Sequence, residues 1–184
     1  MATTLIVPGL NDSPPGHWQA WFEEVLPDTR RVTQPDWGLP DLDSWSAHVA
    51  AAIDACSSPP IIVAHSFGVL AAVRAIQKTP RPVAAALLVA PADPDTFGYA
   101  KLLPRFPLPF PCSLVASRTD PWMTFESAAI WADRWDAKLI DHGNVAHINV
   151  DSGHGPWPAG LRFYRELETS KQQALRPVGS WSIA

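Results

Sequence analysis

The sequence predicts an α/β fold built on a mainly parallel sheet of about six strands, with helices on both faces. Apolar runs of strand length alternate along the chain with segments of helical periodicity, an order typical of βαβ units. The 184 residues are 47% hydrophobic and 17% charged, a composition typical of a globular chain. Because neither an internal repeat nor a second core is visible, we expect a single domain over residues 1–175 and a loosely held C-terminal tail, residues 176–184.

Each element follows from its local pattern. Runs of aliphatic and β-branched residues predict strands over 3–7, 31–34, 61–64, 83–90, 113–116 and 138–141. Helical spacing of apolar residues predicts helices over 17–26, 42–56, 66–78, 125–135 and 159–171. Prolines mark the connections, since proline fits neither a central strand nor a helix interior. The longest connection, residues 93–111, is compatible with a lid over a site and with a plain crossover.

Charge and cysteine content exclude several classes of protein. The net charge is −4 and no basic run accumulates, which argues against a nucleic-acid surface. No apolar run reaches membrane-span length and none resembles a signal peptide, so we expect no membrane contact and a cytoplasmic location. Cys56 and Cys112 lack metal-ligand spacing and are too few for a disulfide framework, which fits a reducing compartment.

The run from Ile61 to Ala72 carries the most specific signal. Aliphatic residues lead directly into Ser66, and an alanine-rich helical stretch follows at once. This is the pattern of a nucleophile elbow, in which a strand turns sharply into a helix with a serine at the apex. Ala64 and Gly68 are small, as the tight turn requires. Ser66 is therefore predicted to be a nucleophile.

A serine nucleophile needs a base, and that base needs an acid to orient it. After an elbow, the acid and then the histidine follow the serine along the chain. Asp120 comes just beyond the fifth predicted strand, and His154 beyond the sixth, with a glycine on each side that frees the backbone to present the ring. We therefore predict a catalytic triad of Ser66, Asp120 and His154.

Other residues remain open for these roles. Asp93 and Asp95 follow the fourth predicted strand, one strand early for the acid. His142 directly follows the sixth strand and is expected to be structural. His147 is expected to bond the backbone near the site, and His65 to pack under the turn.

An oxyanion hole requires two backbone donors. We expect the amide of Phe67, directly after the nucleophile, and the amide of Leu10 in the loop after the first strand, with Gly9 allowing close approach. The nine tryptophans also include candidates for lining a pocket for an apolar substrate group. These pocket candidates are Trp18, Trp37 and Trp157.

Several short motifs extend the pattern over most of the chain. They are Pro8-Gly9 followed by Ser13, His17-Trp18-Gln19-Ala20-Trp21, Pro35-Asp36-Trp37, Ala64-His65-Ser66-Phe67-Gly68, Ser117-Arg118-Thr119-Asp120-Pro121, Gly143, Ala146-His147-Ile148-Asn149 and Ser152-Gly153-His154-Gly155-Pro156-Trp157-Pro158. Together they resemble the small single-domain serine hydrolases grouped with the retinoblastoma-binding hydrolases and the bacterial YdeN-type proteins, in the α/β-hydrolase superfamily.

The resemblance implies a compact α/β-hydrolase fold with little or no cap, a triad matching Ser66, Asp120 and His154, and hydrolysis of carboxylic esters. Where the family commonly has glycine before the His-Ile-Asn run, this chain has Ala146. The retinoblastoma-binding label depends on a Leu-x-Cys-x-Glu motif, which neither cysteine of this chain has. No partner of that kind is expected.

The leading hypothesis is a serine hydrolase that cleaves small esters through an acyl-enzyme, without a cofactor or metal. One alternative is a non-enzymatic interaction module that docks through the apolar loop 102–110. Another is a metal-dependent hydrolase, although its four candidate ligands lack the helical i, i+4 pairing of common metal sites. Those ligands are His142, His147, Asp151 and His154.

Overall fold

A computed structural model describes residues 2–174, and within them six strands form one sheet. The strands are β1 (Thr4–Val7), β2 (Thr29–Arg31), β3 (Ile61–Ser66), β4 (Ala85–Pro91), β5 (Cys112–Ala116) and β6 (Lys138–Asp141). Their order is β2-β1-β3-β4-β5-β6, and every neighbouring pair is parallel. The predicted parallel α/β sheet is confirmed, whereas the predicted tail, residues 176–184, lies outside the described residues.

Helices cover both faces of this sheet. Within the described residues they are α1 (Trp18–Val25), α2 (Leu42–Asp54), α3 (Phe67–Ala75), α4 (Phe125–Arg134) and α5 (Pro158–Ala174). Helices α2, α3 and α4 pack on the face that contains Ile62 and Ala64, while α1 and α5 pack on the face that contains Ile61 and Val63. Strands buried on both faces explain why β3 and β4 are continuous apolar runs. None of the helices in residues 2–174 is both long enough and apolar enough to cross a membrane.

The element boundaries differ from the predictions mainly at the second strand. It covers Thr29–Arg31 instead of 31–34, because Thr29 pairs with Thr4 at the start of β1. This edge strand is short and polar, so it lacks the apolar pattern that marks the central strands. A short 3₁₀ helix over Val150–Ser152 was not predicted.

The long connection 93–111 is tied to the helices beneath it. The Trp135 indole N–H donates to the Pro104 carbonyl at 2.9 Å, and the Tyr99 hydroxyl donates to the Pro40 carbonyl at 2.9 Å. These bonds fasten the segment to the residues just before α2 and just after α4.

The sheet topology determines where a site can form. The chain moves outward from β1 to β2 and then returns past β1 to β3, so the connections diverge between β1 and β3. In open parallel sheets, ligands bind at such a switch point, beyond the carboxyl ends of the strands. The loop after β1 and the residue that ends β3, Ser66, both lie at this position.

Candidate active site

Ser66 ends β3 at a sharp turn into α3. Its backbone has φ 54° and ψ −125°, a conformation that is strained for a residue with a side chain, and α3 begins at the next residue. A Cβ on Gly68 would lie 2.2 Å from the Pro8 carbonyl oxygen, so only glycine fits there. Ala64 is fully buried within the sheet. This strand–turn–helix geometry is that of a nucleophile elbow.

The Ser66 hydroxyl is hydrogen bonded to the imidazole of His147. The distance from Ser66 Oγ to His147 Nε2 is 2.9 Å, and His147 Nδ1 lies 2.9 Å from both carboxylate oxygens of Asp120. Because an ionised carboxylate only accepts hydrogen bonds, Nδ1 carries the proton and Nε2 accepts from the serine hydroxyl. The Asp120 side chain is 3% exposed and also accepts the Trp122 amide.

The predicted position of His154 beside Ser66 is wrong. The His154 Nδ1 atom lies 3.0 Å from the Ser152 hydroxyl, and its ring packs edge-on against Trp157. Its carbonyl accepts the amide of Trp18, the first residue of α1. His154 therefore joins the loop before α5 to the start of α1.

The glycines beside His154 are required by the local backbone geometry and not by the placement of its ring. Gly153 has φ 80° and ends the 3₁₀ helix, while a Cβ on Gly155 would lie 2.9 Å from the Gly16 carbonyl oxygen. By contrast, His147 lies between Ala146 and Ile148, which both have φ 50° without being glycine. The turn that presents the histidine ring is therefore made without the glycines that the prediction relied on.

The acid position is occupied by Asp120, and Asp93 has other contacts. One Asp93 carboxylate oxygen accepts the Asp95 amide at 2.9 Å, and the other lies 3.5 Å from the Ser127 hydroxyl. The loop after β5, which carries Asp120, also holds the histidine loop. The Ser117 hydroxyl accepts the amide of Val145.

The loop after β1 approaches the Ser66 side chain closely. A Cβ on Gly9 would lie 2.7 Å from Ser66 Cβ and 3.3 Å from its Oγ. Within residues 2–174, the amide of the next residue, Leu10, has no hydrogen-bond acceptor. The amide of Phe67 is the first in α3, where no intrahelical acceptor exists and the helix dipole favours negative charge. Two amides that could hold an oxyanion therefore flank the serine.

Two cavities, of about 310 and 260 Å³, open beside Ser66 and His147. Leu10, Asn11, Asn149 and Asp151 also line both of them. The larger cavity has both polar and apolar lining residues of its own, which are Asp12, Pro14, His17, His65 and Val150. The smaller cavity is apolar on one side, where its additional lining residues are Ala92, Phe97 and Trp122.

The three predicted pocket tryptophans do not line these cavities. Trp18 and Trp157 are buried against each other, with ring centroids 5.1 Å apart. Trp37 packs edge-on against Trp45 at 5.6 Å. The tryptophan beside the nucleophile is Trp122, which is 56% exposed. The composition alone could not separate core tryptophans from this one.

Two further imidazoles, those of His65 and His17, lie in a row behind the His147 ring, towards the core. The ring centroids of His147 and His65 are 4.9 Å apart, and those of His65 and His17 are 5.0 Å apart. Burial, followed by the charge of Arg31, lowers the pKa of His17 to about 4. Burial also holds the pKa of His65 well below its ordinary value. Both rings are therefore neutral near neutral pH.

The residues of the metal alternative are not gathered. In the described part of the chain, no group of three or more histidine, cysteine, aspartate or glutamate side chains is arranged to hold a metal ion. His142 accepts the Trp157 indole N–H at 3.1 Å, and His147 contacts Asp120 and Ser66.

A parallel sheet with an elbow serine at the end of its third strand, flanked by helices on both faces, defines a hydrolase of the α/β-hydrolase fold. The chain belongs to the serine hydrolase family, whose sequence model matches residues 4–166. The resemblance to YdeN-type hydrolases is confirmed. No curated protein matches this sequence.

Similar solved structures agree with this assignment. A protein from Pectobacterium atrosepticum described as a YdeN-like hydrolase is 38% identical, with a TM-score of 0.88 over 93% of this chain and 92% of that one. The ydeN gene product of B. subtilis is 18% identical, with a TM-score of 0.77 over 94% and 100%. The RedJ thioesterase of Streptomyces coelicolor is 15% identical, with a TM-score of 0.60 over 91% and 85%. The last two share the fold.

Proposed function

We propose that this serine hydrolase cleaves small carboxylic esters through an acyl-enzyme on Ser66, with His147 as the base and Asp120 as the residue that orients it. The observation that carries the proposal is the continuous hydrogen-bonded chain from Asp120 through His147 to Ser66, with 2.9 Å at each link. A serine is a weak nucleophile at neutral pH unless a base accepts its proton as it attacks.

In the acylation step, Ser66 Oγ attacks the ester carbonyl carbon while its proton passes to Nε2 of His147. The carbonyl oxygen takes the negative charge, and the amides of Leu10 and Phe67 would donate to it. When the bond to the leaving alkoxide breaks, the proton on Nε2 moves to that oxygen and the acyl group stays on Ser66. Asp120 stabilises the imidazolium that exists between the two transfers.

In the deacylation step, a water molecule takes the place of the alcohol. His147 accepts its proton as the water oxygen adds to the acyl carbon. The new tetrahedral intermediate expels Ser66 Oγ, which recovers a proton from Nε2, and the carboxylic acid leaves. The triad and the two amides therefore act in both steps, and in each step Nε2 carries the proton from the attacking group to the leaving group.

The two cavities support a small substrate. Each opens at the serine and the histidine, so the acyl part of an ester could occupy one cavity and the alcohol part the other. Phe97 and Trp122 in the smaller cavity offer one part an apolar wall, while Asp12 and His17 in the larger cavity offer polar atoms to the other.

The test is a panel of p-nitrophenyl esters of increasing acyl length, measured with the wild-type protein and with Ser66→Ala. We expect turnover of the shorter esters by the wild type, and covalent labelling by a fluorophosphonate that the Ser66→Ala protein does not show. A wild-type rate equal to that of Ser66→Ala on every ester, together with no labelling, would reject the proposal and favour the interaction-module alternative.

A further inference from the structure

We propose that His65 is a positioning residue for the catalytic base, because its imidazole N–H holds the backbone carbonyl of His147. The distance from His65 Nε2 to the His147 carbonyl oxygen is 3.0 Å. The kinetic part of this inference rests on the proposed ester hydrolysis, whereas the positioning itself does not.

The chemistry of the two partners fixes the proton on His65. A carbonyl oxygen can only accept, so Nε2 must be the protonated nitrogen of the ring. The His65 residue is 5% exposed, and its ring is packed edge-on against His17 and Trp18 at centroid distances of 5.0 and 5.9 Å. The lowered pKa of His65, caused mainly by burial, keeps the ring neutral. The ring therefore acts as a fixed donor with little room to turn.

The loop that carries His147 needs such a contact. Ala146 and Ile148 both have φ 50°, a region that is unfavourable for a residue with a Cβ. Such a turn persists only where surrounding contacts determine it. The Trp18 indole N–H donates to the Ile148 carbonyl at 2.8 Å, so two successive carbonyls of the loop are held from inside the core. Of these two carbonyl bonds, the one from His65 is made to the backbone of His147, the base itself.

The position of His65 in the chain gives this bond a specific consequence. His65 immediately precedes Ser66, so one strand end carries both the nucleophile and the group that holds the base. A closed ring of contacts runs from Ser66 through the peptide to His65, across to the His147 carbonyl, and back from the His147 ring to Ser66 Oγ. The distance between nucleophile and base is thus set by a covalent neighbour of the nucleophile.

Three substitutions of His65 distinguish the effect of the position of the N–H donor from the effect of side-chain packing. Glutamine places an amide nitrogen about where Nε2 lies, asparagine places it about where Nδ1 lies, and leucine fills space without a donor. A misplacement of about 1 Å can cost about 100-fold in rate, so we expect His65→Asn and His65→Leu to lower kcat by about 10- to 100-fold. His65→Gln should recover most of that loss, and KM should change little in all three.

The experiment measures kcat and KM for a short p-nitrophenyl ester, the urea unfolding curve of each variant, and the imidazole NMR signals of ¹⁵N-histidine-labelled protein. His48→Asn, on the exposed face of α2, is the matched control. We expect the Nδ1–H resonance of His147 to shift or broaden in the asparagine and leucine variants and to return in the glutamine variant. The NMR comparison decides the positioning even if the wild-type protein hydrolyses no ester, which would reject only the proposed function.

Three results would overturn the inference. One is a folded His65→Asn or His65→Leu protein with wild-type kcat and an unchanged His147 resonance. Another is a folded His65→Gln protein that is as impaired as the asparagine variant, since the donor would then not matter. The third is a rise in KM at constant kcat, which would mean that His65 contacts the substrate from its place in the cavity wall.

Discussion

The His147 imidazole lies 2.9 Å from the Ser66 hydroxyl although 81 positions separate the two residues in the chain. The contact exists because β3 and β6 are parallel strands of one sheet, so the segments after them leave at the same edge. Between β6 and α5 the chain offers three histidines, and only the path of the loop decides which of them reaches the serine.

The first prediction separates His147 from His154. Replacing the general base removes the group that accepts and returns the proton in both acylation and deacylation, so His147→Gln should lower kcat by at least about 1,000-fold. The matched variant His154→Gln should keep most of the wild-type rate, because that ring contacts Ser152 and Trp157. Both rates are measured with a short p-nitrophenyl ester. A larger loss in the His154 variant than in the His147 variant would contradict the geometry.

The second prediction concerns the loop that carries Leu10. A Cβ on Gly9 would lie 2.7 Å from Ser66 Cβ, so Gly9→Ala must push the Leu10 amide away from the serine. Loss of one oxyanion donor typically lowers kcat by about 100- to 1,000-fold.

Gly38→Ala is the control for this prediction, since a Cβ there would be 3.5 Å from the Asp36 carboxylate, an ordinary contact. It should keep the wild-type rate. If Gly9→Ala is as active as Gly38→Ala while both are folded, the Leu10 amide has no part in the reaction.

The site residues that could be predicted are those whose sequence signal lies close to them in the chain. The elbow around Ser66 is a local steric device, and Asp120 follows its strand within a few residues, so chain order was enough to select both. Which histidine acts as the base depends on the path of a long loop, which chain order does not reveal. The assumption that unusual backbone angles require glycine favoured His154. The usable signal was Ala146, which stands where the resembling family commonly has glycine and has φ 50°.

The third prediction assigns a specificity role to Trp122, which lines the apolar side of the smaller cavity. Trp122→Ala should lower kcat/KM for an ester with an aromatic acyl group by about tenfold, the equivalent of about 1–2 kcal/mol of lost apolar contact. The acetate ester, which is too short to use that wall, should be affected less.

Phe106→Ala removes a comparably exposed aromatic side chain that lies outside both cavity linings. This variant should keep the wild-type kcat/KM for both esters. An equal loss for the aromatic and acetate esters in Trp122→Ala would show that this tryptophan does not select the acyl group.

The fourth prediction tests the strain beside His147. Ala146 has φ 50°, a region in which a Cβ is unfavourable, so Ala146→Gly should raise the free energy of unfolding by about 0.5–1 kcal/mol. The same substitution at Ala51, in the exposed middle of α2, should lower it by about 1 kcal/mol. Urea unfolding of the two variants should therefore give opposite signs, and equal destabilisation would mean that the turn is unstrained.

The fifth prediction is an acid-dependent loss of stability that originates at His17. Because burial lowers the pKa of this residue from 6.5 to about 4, the unfolded chain binds the proton more tightly than the folded protein does. The free energy of unfolding therefore falls as the pH drops below 6.5, and the fall from His17 ends near pH 4. At about pH 5 the loss should be on the order of 2 kcal/mol.

His17→Asn keeps a side-chain acceptor for the Gln19 amide but cannot titrate, so its stability should change less between about pH 7 and pH 5. His48→Gln, at an exposed position, should keep the wild-type dependence in urea unfolding, and identical pH slopes in the two variants would exclude His17 as the source.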